Sequence, residues 1–130
     1  MRWVGGDFVI KSSATERARV KTHGYVLHPN KYFGVSKQRL LDGKIEEHGW
    51  YLIHLPTGVP LSKSGRRGDC SFKTKGEAQR FAERISKDSD FIPWHETCPV
   101  TIGEAINKKL KITTPYGYLR GIHEEIAGAA

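Results

Sequence analysis

The fold of this chain is predicted from one stretch, Trp50 to Lys87, which reads WYLIHLPTGVPLSKSGRRGDCSFKTKGEAQRFAERISK. It begins with an apolar run typical of a β-strand, turns at Pro56–Gly58 and continues through the short apolar run Val59–Leu61. A basic loop follows, then a strand-like piece from Asp69 to Lys73 and finally a helix. We therefore expect a small sheet that packs on one helix.

The helix is indicated both by its start and by its apolar spacing. Thr74 and Glu77 form a capping box, in which the threonine hydroxyl accepts an amide hydrogen bond and the glutamate reaches back. The apolar residues that follow share one helical stripe: Ala78, Phe81, Ala82 and Ile85. The cations repeat on the opposite side: Arg80, Arg84 and Lys87. The helix should therefore bury the first group and expose the second.

The segment before this stretch is predicted to be mainly strands. Glu16–Leu27 alternates in the manner of a strand, and Trp3–Ile10 indicates a hairpin turning at its glycines or a bulged strand. Ser36–Leu41 fits either one helical turn or an irregular connection. Ile45–Leu55 resumes the strand pattern, with a bulge expected at Gly49.

The segment after the main helix is predicted to be helical. Phe91–Trp94 is apolar and cannot stay helical past Pro93, so we expect it to fold back on the core. A second capping box opens a helix at Thr101, and Thr114 with Pro115 starts a third. The third helix carries apolar residues at helical spacing: Tyr118, Leu119, Ile122 and Ile126.

Strands followed by helices predict an α+β fold, with a small antiparallel β-sheet packed against a central amphipathic helix. We expect a single domain of residues 1–130, with strands mainly in 1–73, the central helix in 74–87 and a helical C-terminal segment in 88–130. The 130 residues are 38% hydrophobic and 27% charged, which is typical of a globular domain.

The net charge of +7 is concentrated in one region. Residues 63–87 contain eight Lys or Arg against three Asp or Glu, a local charge of +5. Such a face is suited to a polyanion. The chain has no apolar run of membrane-spanning length, no secretion signal after Arg2 and only two distant cysteines, so a cytoplasmic protein is expected.

The basic residues suggest a nucleic-acid-binding surface. Lys63, Arg66 and Arg67 lie among serines and glycines, which would let guanidinium and amide groups approach a phosphate together. The full set of candidate contacts is Lys63, Arg66, Arg67, Lys73, Arg80, Arg84, Lys87, Arg17, Arg19, Lys21, Trp50 and Tyr51. The two aromatic residues belong to a group that could stack on bases, together with Tyr25, Tyr32 and Phe33.

The hairpin that precedes Phe72–Ala78, together with the helix start in that segment, resembles one plan for binding DNA. In plant AP2 domains and the arm-binding domains of phage-type integrases, a small sheet packs on one helix and its strands read DNA. The resemblance implies that Trp50, Tyr51, Lys63, Arg66 and Arg67 lie near nucleic acid. It covers the stretch from Trp50 to Lys87 and has no counterpart for the C-terminal third.

Catalytic and metal-binding patterns are weak. His95 and Cys98 lie close together, with His54 and Cys70 elsewhere, but structural zinc sites use paired ligands at tighter spacings. We therefore predict no metal and no cofactor. P-loop, G-x-S-x-G and H-E-x-x-H motifs are missing, and we predict no enzyme, although scattered histidines and carboxylates leave a small nuclease open.

The sequence is compatible with two functions. The first is a non-enzymatic nucleic-acid-binding module that contacts phosphates through the basic loop and helix face. The second is a small phage- or plasmid-type inhibitor or adaptor, for example anti-CRISPR-like, that binds a host protein or nucleoprotein complex. Its anchor would be the Phe91–Trp94 patch or the C-terminal helix, because aromatic residues dominate interface energetics.

Overall fold

The computed structural model describes residues 1–11, 19–41, 44–61, 71–111 and 115–128, which form an α+β fold. An antiparallel sheet has the strand order β1-β2-β3-β6-β7, with β8 also paired to β6, and β4 and β5 form a separate hairpin. The strands are β1 (Arg2–Lys11), β2 (Arg19–His28), β3 (Phe33–Ser36), β4 (Arg39–Leu41), β5 (Lys44–Glu46), β6 (Trp50–His54), β7 (Val59–Pro60) and β8 (Ser71–Phe72). The helices are α1 (Lys75–Ser86), α2 (Pro99–Leu110) and α3 (Pro115–Gly128). The predicted fold class is confirmed.

Strand β6 is buried on both faces, because side chains alternate along a strand. Leu52 and His54 point to the helical side, and Tyr51 and Ile53 point to the other. The helical side is the larger core and includes Leu27, Phe33, Val35, Leu52, Phe72, Phe81, Ile85, Ile92, Trp94, Ile106 and Leu119. The smaller core on the other side contains Ile10, Leu40, Tyr51 and Ile53.

Helix α1 has the predicted start and the predicted buried stripe. The Thr74 hydroxyl accepts a hydrogen bond from the Glu77 amide at 3.1 Å, and the Glu77 carboxylate accepts one from the Lys73 amide at 3.3 Å. All four residues of the apolar stripe are buried against the sheet and the other helices: Ala78, Phe81, Ala82 and Ile85.

The first two strands pair along their whole length, from Arg2 opposite His28 to Lys11 opposite Arg19. The predicted hairpin turn within Trp3–Ile10 is therefore wrong, and no bulge interrupts the register. Gly5 and Gly6 continue the strand because β2 offers an unbroken partner. Residues 16–18 of the predicted second strand lie outside the described residues.

The β4–β5 hairpin corrects two further predictions. Ser36–Leu41 is not helical, and only residues 37–38 form an irregular connection, since Ser36 ends β3 and Arg39–Leu41 pairs with Lys44–Glu46. Arg39 is 4% exposed, and its guanidinium donates to Glu46 at 2.8 Å and lies over the Tyr51 ring. Ile45–Leu55 is not one strand, because the chain leaves the ladder after Glu46 and resumes at Trp50, with Gly49 at φ +143°.

Two glycines on β2 and β3 leave room for close packing on the side of the smaller core. The Phe8 ring lies against Gly24 and Gly34, where its atoms come within 3.0–3.2 Å of the position a Cβ would take. At the far end of β1, the Lys11 amide donates to the Gly58 carbonyl at 2.7 Å and so joins β1 to the turn after β6. Glycines are needed here because the ring and the neighbouring strand occupy the side-chain space.

The segment after α1 folds back as predicted, with Ile92 and Trp94 buried. The Trp94 indole N–H donates to the Ile85 carbonyl at 3.0 Å, and the Trp94 carbonyl accepts from Nε2 of His54 at 2.6 Å. Nδ1 of His54 lies 2.8 Å from the Thr57 hydroxyl. Through these bonds His54 connects β6, the following turn and the segment that closes over α1.

The two C-terminal helices differ in how well their starts were predicted. Helix α2 begins at Pro99, two residues before Thr101, so the capping box predicted at Thr101 does not open it. A proline at the first helical position explains the earlier start, because its missing N–H has no partner to lose. Helix α3 begins at Pro115 as predicted. In the part of the chain that the structure describes, no helix is long and apolar enough to span a membrane.

Replacement of Gly24 tests the close packing of β2 against β3. A Cβ at Gly24 would lie 2.1 Å from the Val35 carbonyl oxygen, so Gly24→Ala should lower the free energy of unfolding by about 1–3 kcal/mol. Gly6 lies opposite Gly24 and has open space around it, so Gly6→Ala is the matched control. Equal urea-unfolding midpoints for the two variants would contradict this account.

The buried imidazole of His54 predicts a loss of stability in acid. Burial lowers the pKa of His54 from 6.5 to about 4. Between these values the unfolded chain takes up a proton that the native state refuses, so this contribution to stability falls as pH falls from about 6.5 to about 4. The loss amounts to about 3 kcal/mol. Urea unfolding across this range should show a steeper pH dependence for the wild type than for His54→Gln, whereas parallel curves would contradict the prediction.

Candidate nucleic-acid interface

A cleft opens on the sheet where β2 and β3 separate. These strands share only the pairs Tyr25–Val35 and Val26–Gly34, and beyond Tyr25 they diverge. The cleft has a volume of about 360 Å³. Its lining residues come from β2, the segments after β3 and β5, and the start of β6: Thr22, His23, Gly24, Tyr25, Lys37, Gln38, Glu47 and Trp50.

Two aromatic rings form one wall of the cleft. Tyr25 and Trp50 are half-buried, with ring centroids 6.5 Å apart and planes inclined at 40°. Both belong to the helical side of the sheet, at the margin of the larger core. Each ring therefore contacts the core and retains an accessible part.

A lysine ammonium group lies close to each ring. The ammonium of Lys75 lies 4.4 Å from the centroid of Tyr25, and that of Lys37 lies 5.3 Å from the centroid of Trp50. These distances are within the range of cation–π attraction. Lys75 is held there by the start of α1, and Lys37 directly follows β3. Aromatic surface and positive charge thus meet in one place.

A chain of polar side chains links β2 to the segments that follow β3 and β5. The Thr22 hydroxyl lies 3.0 Å from the Ser36 hydroxyl and donates to Oε1 of Gln38 at 2.8 Å. Nε2 of Gln38 donates to Oε1 of Glu47 at 2.7 Å. The chain joins β2 to the β4–β5 hairpin across the gap and fixes the shape of the cleft.

The side chains of β2 that share a side with Tyr25 extend along the strand away from the cleft. Arg19, Lys21, His23 and Tyr25 occupy alternate positions and so share one side of the strand. Asp7 lies among them, 2.8 Å from Nδ1 of His23 and 3.6 Å from Nζ of Lys21. The hydrogen bond from His23, aided by Lys21, lowers the pKa of Asp7. The carboxylate offsets part of the charge of this row, and Arg19 remains exposed at its end.

The predicted basic face is described only in part. Lys63, Arg66, Arg67 and Arg17 lie outside the described residues. The residues on either side of 62–70 both contact β6. The Leu61 amide donates to the Leu52 carbonyl, and Ser71 pairs with Tyr51. Of the described cations, Lys73, Arg80, Lys87, Arg19 and Lys21 are exposed.

Arg84 serves the packing of helices. Its guanidinium donates to Asp88 at 3.1 Å and to Glu125 of α3 at 2.6 Å, and the hydrogen bond to Glu125 raises the pKa of Arg84. The Tyr118 hydroxyl donates to the same Asp88 carboxylate. Two carboxylates therefore balance the charge of Arg84.

Tyr51 is not at the surface. It is 1% exposed, its hydroxyl accepts a hydrogen bond from the His48 amide at 2.9 Å, and Arg39 lies over its ring. Phe33 is likewise buried in the larger core. The AP2-like plan leaves strands open to DNA, whereas here α1 covers one face of β6 and the smaller core covers the other.

Of the described residues that line the cleft, Tyr25 and Trp50 were predicted as aromatic residues that could stack on nucleic-acid bases, whereas six were not predicted as contacts: Thr22, His23, Gly24, Lys37, Gln38 and Glu47. Lys37 directly follows the last residue of β3. It lies two positions after Val35, so the alternation of a strand predicts that both side chains point to the same side. That signal was available in the sequence. The approach of Gln38 to Glu47 depends on the β4–β5 hairpin, which the sequence pattern did not reveal.

The anchors considered for an inhibitor or adaptor are mostly in the core. Ile92 and Trp94 are buried after α1, and so are Tyr118, Leu119 and Ile122 on α3. They stabilise the fold and do not form an exposed apolar patch. Within the described ranges, no three His, Cys, Asp or Glu side chains are placed to hold a metal ion.

Comparisons with protein-family models, curated proteins and solved structures gave no significant match to this chain. The geometry of the cleft is therefore the basis for assigning a function.

Proposed function

We propose that this protein is a non-enzymatic nucleic-acid-binding module that holds a single strand at the cleft between β2 and β3. The observation that carries the proposal is the Tyr25–Trp50 pair, in which each ring has a lysine ammonium beside it. Stacking rings next to cations are what proteins use to bind unpaired bases together with their phosphates.

The geometry favours a single strand over a duplex. The rings line a cleft, so a base can reach them only when it is splayed out of a stack. A base that enters would lie against Trp50 and Tyr25, and the ammonium groups of Lys37 and Lys75 would turn to the flanking phosphates. Two further exposed cations add positive charge, Lys73 just before α1 and Arg19 at the start of β2.

Variants that separate stacking from charge test the proposal. Trp50→Leu keeps an apolar side chain but removes the π face, so affinity for a labelled single-stranded oligonucleotide should fall about tenfold or more, with little change in salt dependence. Lys37→Ala with Lys75→Ala should reduce the slope of log affinity against log salt by about 0.7 for each lost phosphate contact. Fluorescence anisotropy at about 50 and 200 mM salt, on DNA and on RNA, gives both quantities.

Matched controls are available on the same chain. Trp50→Phe keeps a stacking ring and should retain most of the affinity. Lys108→Ala with Lys109→Ala removes two cations from α2, which does not line the cleft, and should leave the salt slope nearly unchanged. Single-strand binding that survives both Trp50→Leu and the Lys37/Lys75 double variant would refute the proposed site.

A further inference from the structure

Of the described residues that line the cleft, Glu47 is the one that carries a carboxylate. Its Oε1 accepts a hydrogen bond from Gln38, and the Gln38 amide is oriented in turn by the Thr22 hydroxyl. Because a carboxylate only accepts, the amide must present its NH₂ to Glu47 and its oxygen to Thr22. The hydrogen bond from Gln38 thus fixes the position of the Glu47 carboxylate in the lining of the cleft.

A carboxylate has the wrong charge for a phosphate site. It would repel the backbone of a strand that Lys37 and Lys75 attract, so its place in the cleft suits a ligand group that carries N–H donors. A nucleobase stacked on Trp50 would turn its edge toward the cleft lining, where Glu47 lies. Glu47 is therefore placed to read the base and not to bind the backbone.

The four bases differ in what they offer to a carboxylate. Guanine presents two adjacent donors, N1–H and the N2 amino group, which match the two oxygens of one carboxylate. Adenine and cytosine present a single amino group beside a ring acceptor, and thymine or uracil presents one N–H between two carbonyl oxygens. Unpaired bases are commonly recognised by hydrogen bonds to this edge together with stacking.

We infer that the cleft prefers guanine, with Glu47 accepting hydrogen bonds from N1–H and N2–H of an unpaired guanine that stacks on Trp50. The inference rests on the proposed function and adds a base preference to it. Glu47 determines specificity, whereas the rings and lysines supply affinity.

The test uses an oligothymidylate strand with one central position changed to guanine, adenine or cytosine, which prevents association between guanine-rich strands. Wild-type protein should bind the guanine strand about tenfold more tightly than the unsubstituted strand, which is within the range of one bidentate base contact. Glu47→Gln keeps the shape and the bond from Gln38 but turns a donor toward the base. It should abolish the preference while leaving affinity for unsubstituted oligothymidylate equal or higher.

The outcomes separate the two proposals. Equal binding of all four strands would overturn the base preference and leave the proposed function standing, whereas no binding of any strand would overturn both. A guanine preference that persists in Glu47→Gln would overturn the role of Glu47. Glu124→Gln is the matched control, because Glu124 is an exposed carboxylate on α3 and should not affect the preference. Free guanosine monophosphate that binds as tightly as the guanine strand would keep the base preference but contradict a strand-binding function.

Discussion

The structure depends on the burial of β6 on both faces. Leu52 and His54 enter the core beneath the helices, while Tyr51 and Ile53 enter the smaller core enclosed by β1 and the β4–β5 hairpin. A strand placed in this way needs apolar residues packed against each face, and these come from segments both near to β6 and far from it in sequence. Helix α1 and the Trp94 segment cover one side, and Phe8, Ile10 and Leu40 cover the other.

The candidate site lies where this double burial ends. Trp50 is the first residue of β6 and is only half-buried, since α1 has just begun and β2 has already diverged from β3. Tyr51 is therefore buried, while the ring of the preceding residue, Trp50, is left partly accessible. Lys37 lies over the Trp50 ring, Lys75 lies over the neighbouring Tyr25 ring, and Glu47 lines the same cleft, because β3, α1 and the β4–β5 hairpin all end or begin at this margin.

Local signals predicted the parts of the fold that local physics determines. The capping box of Thr74 and Glu77 predicts the start of α1, and Pro115 predicts the start of α3. The apolar spacing predicts which residues of α1 are buried. The β4–β5 hairpin was missed because it is stabilised by the ion pair of Arg39 with Glu46 and by the packing of Arg39 on the Tyr51 ring, and the burial of Arg39 follows only from the tertiary structure. At the site, Trp50 and Tyr25 belonged to the aromatic group singled out from the sequence. Their meeting with Lys37 and Glu47 requires the tertiary structure.

The central claim is that nucleic acid binds at the cleft between β2 and β3. The most direct measurement is an amide and indole chemical-shift titration of the isotope-labelled protein with a single-stranded oligonucleotide. The account predicts that the indole N–H of Trp50 and the amides of Tyr25, Lys37 and Gln38 shift most, while those of α2 remain in place. Large shifts confined to α2 and α3, with the cleft resonances unmoved, would contradict it.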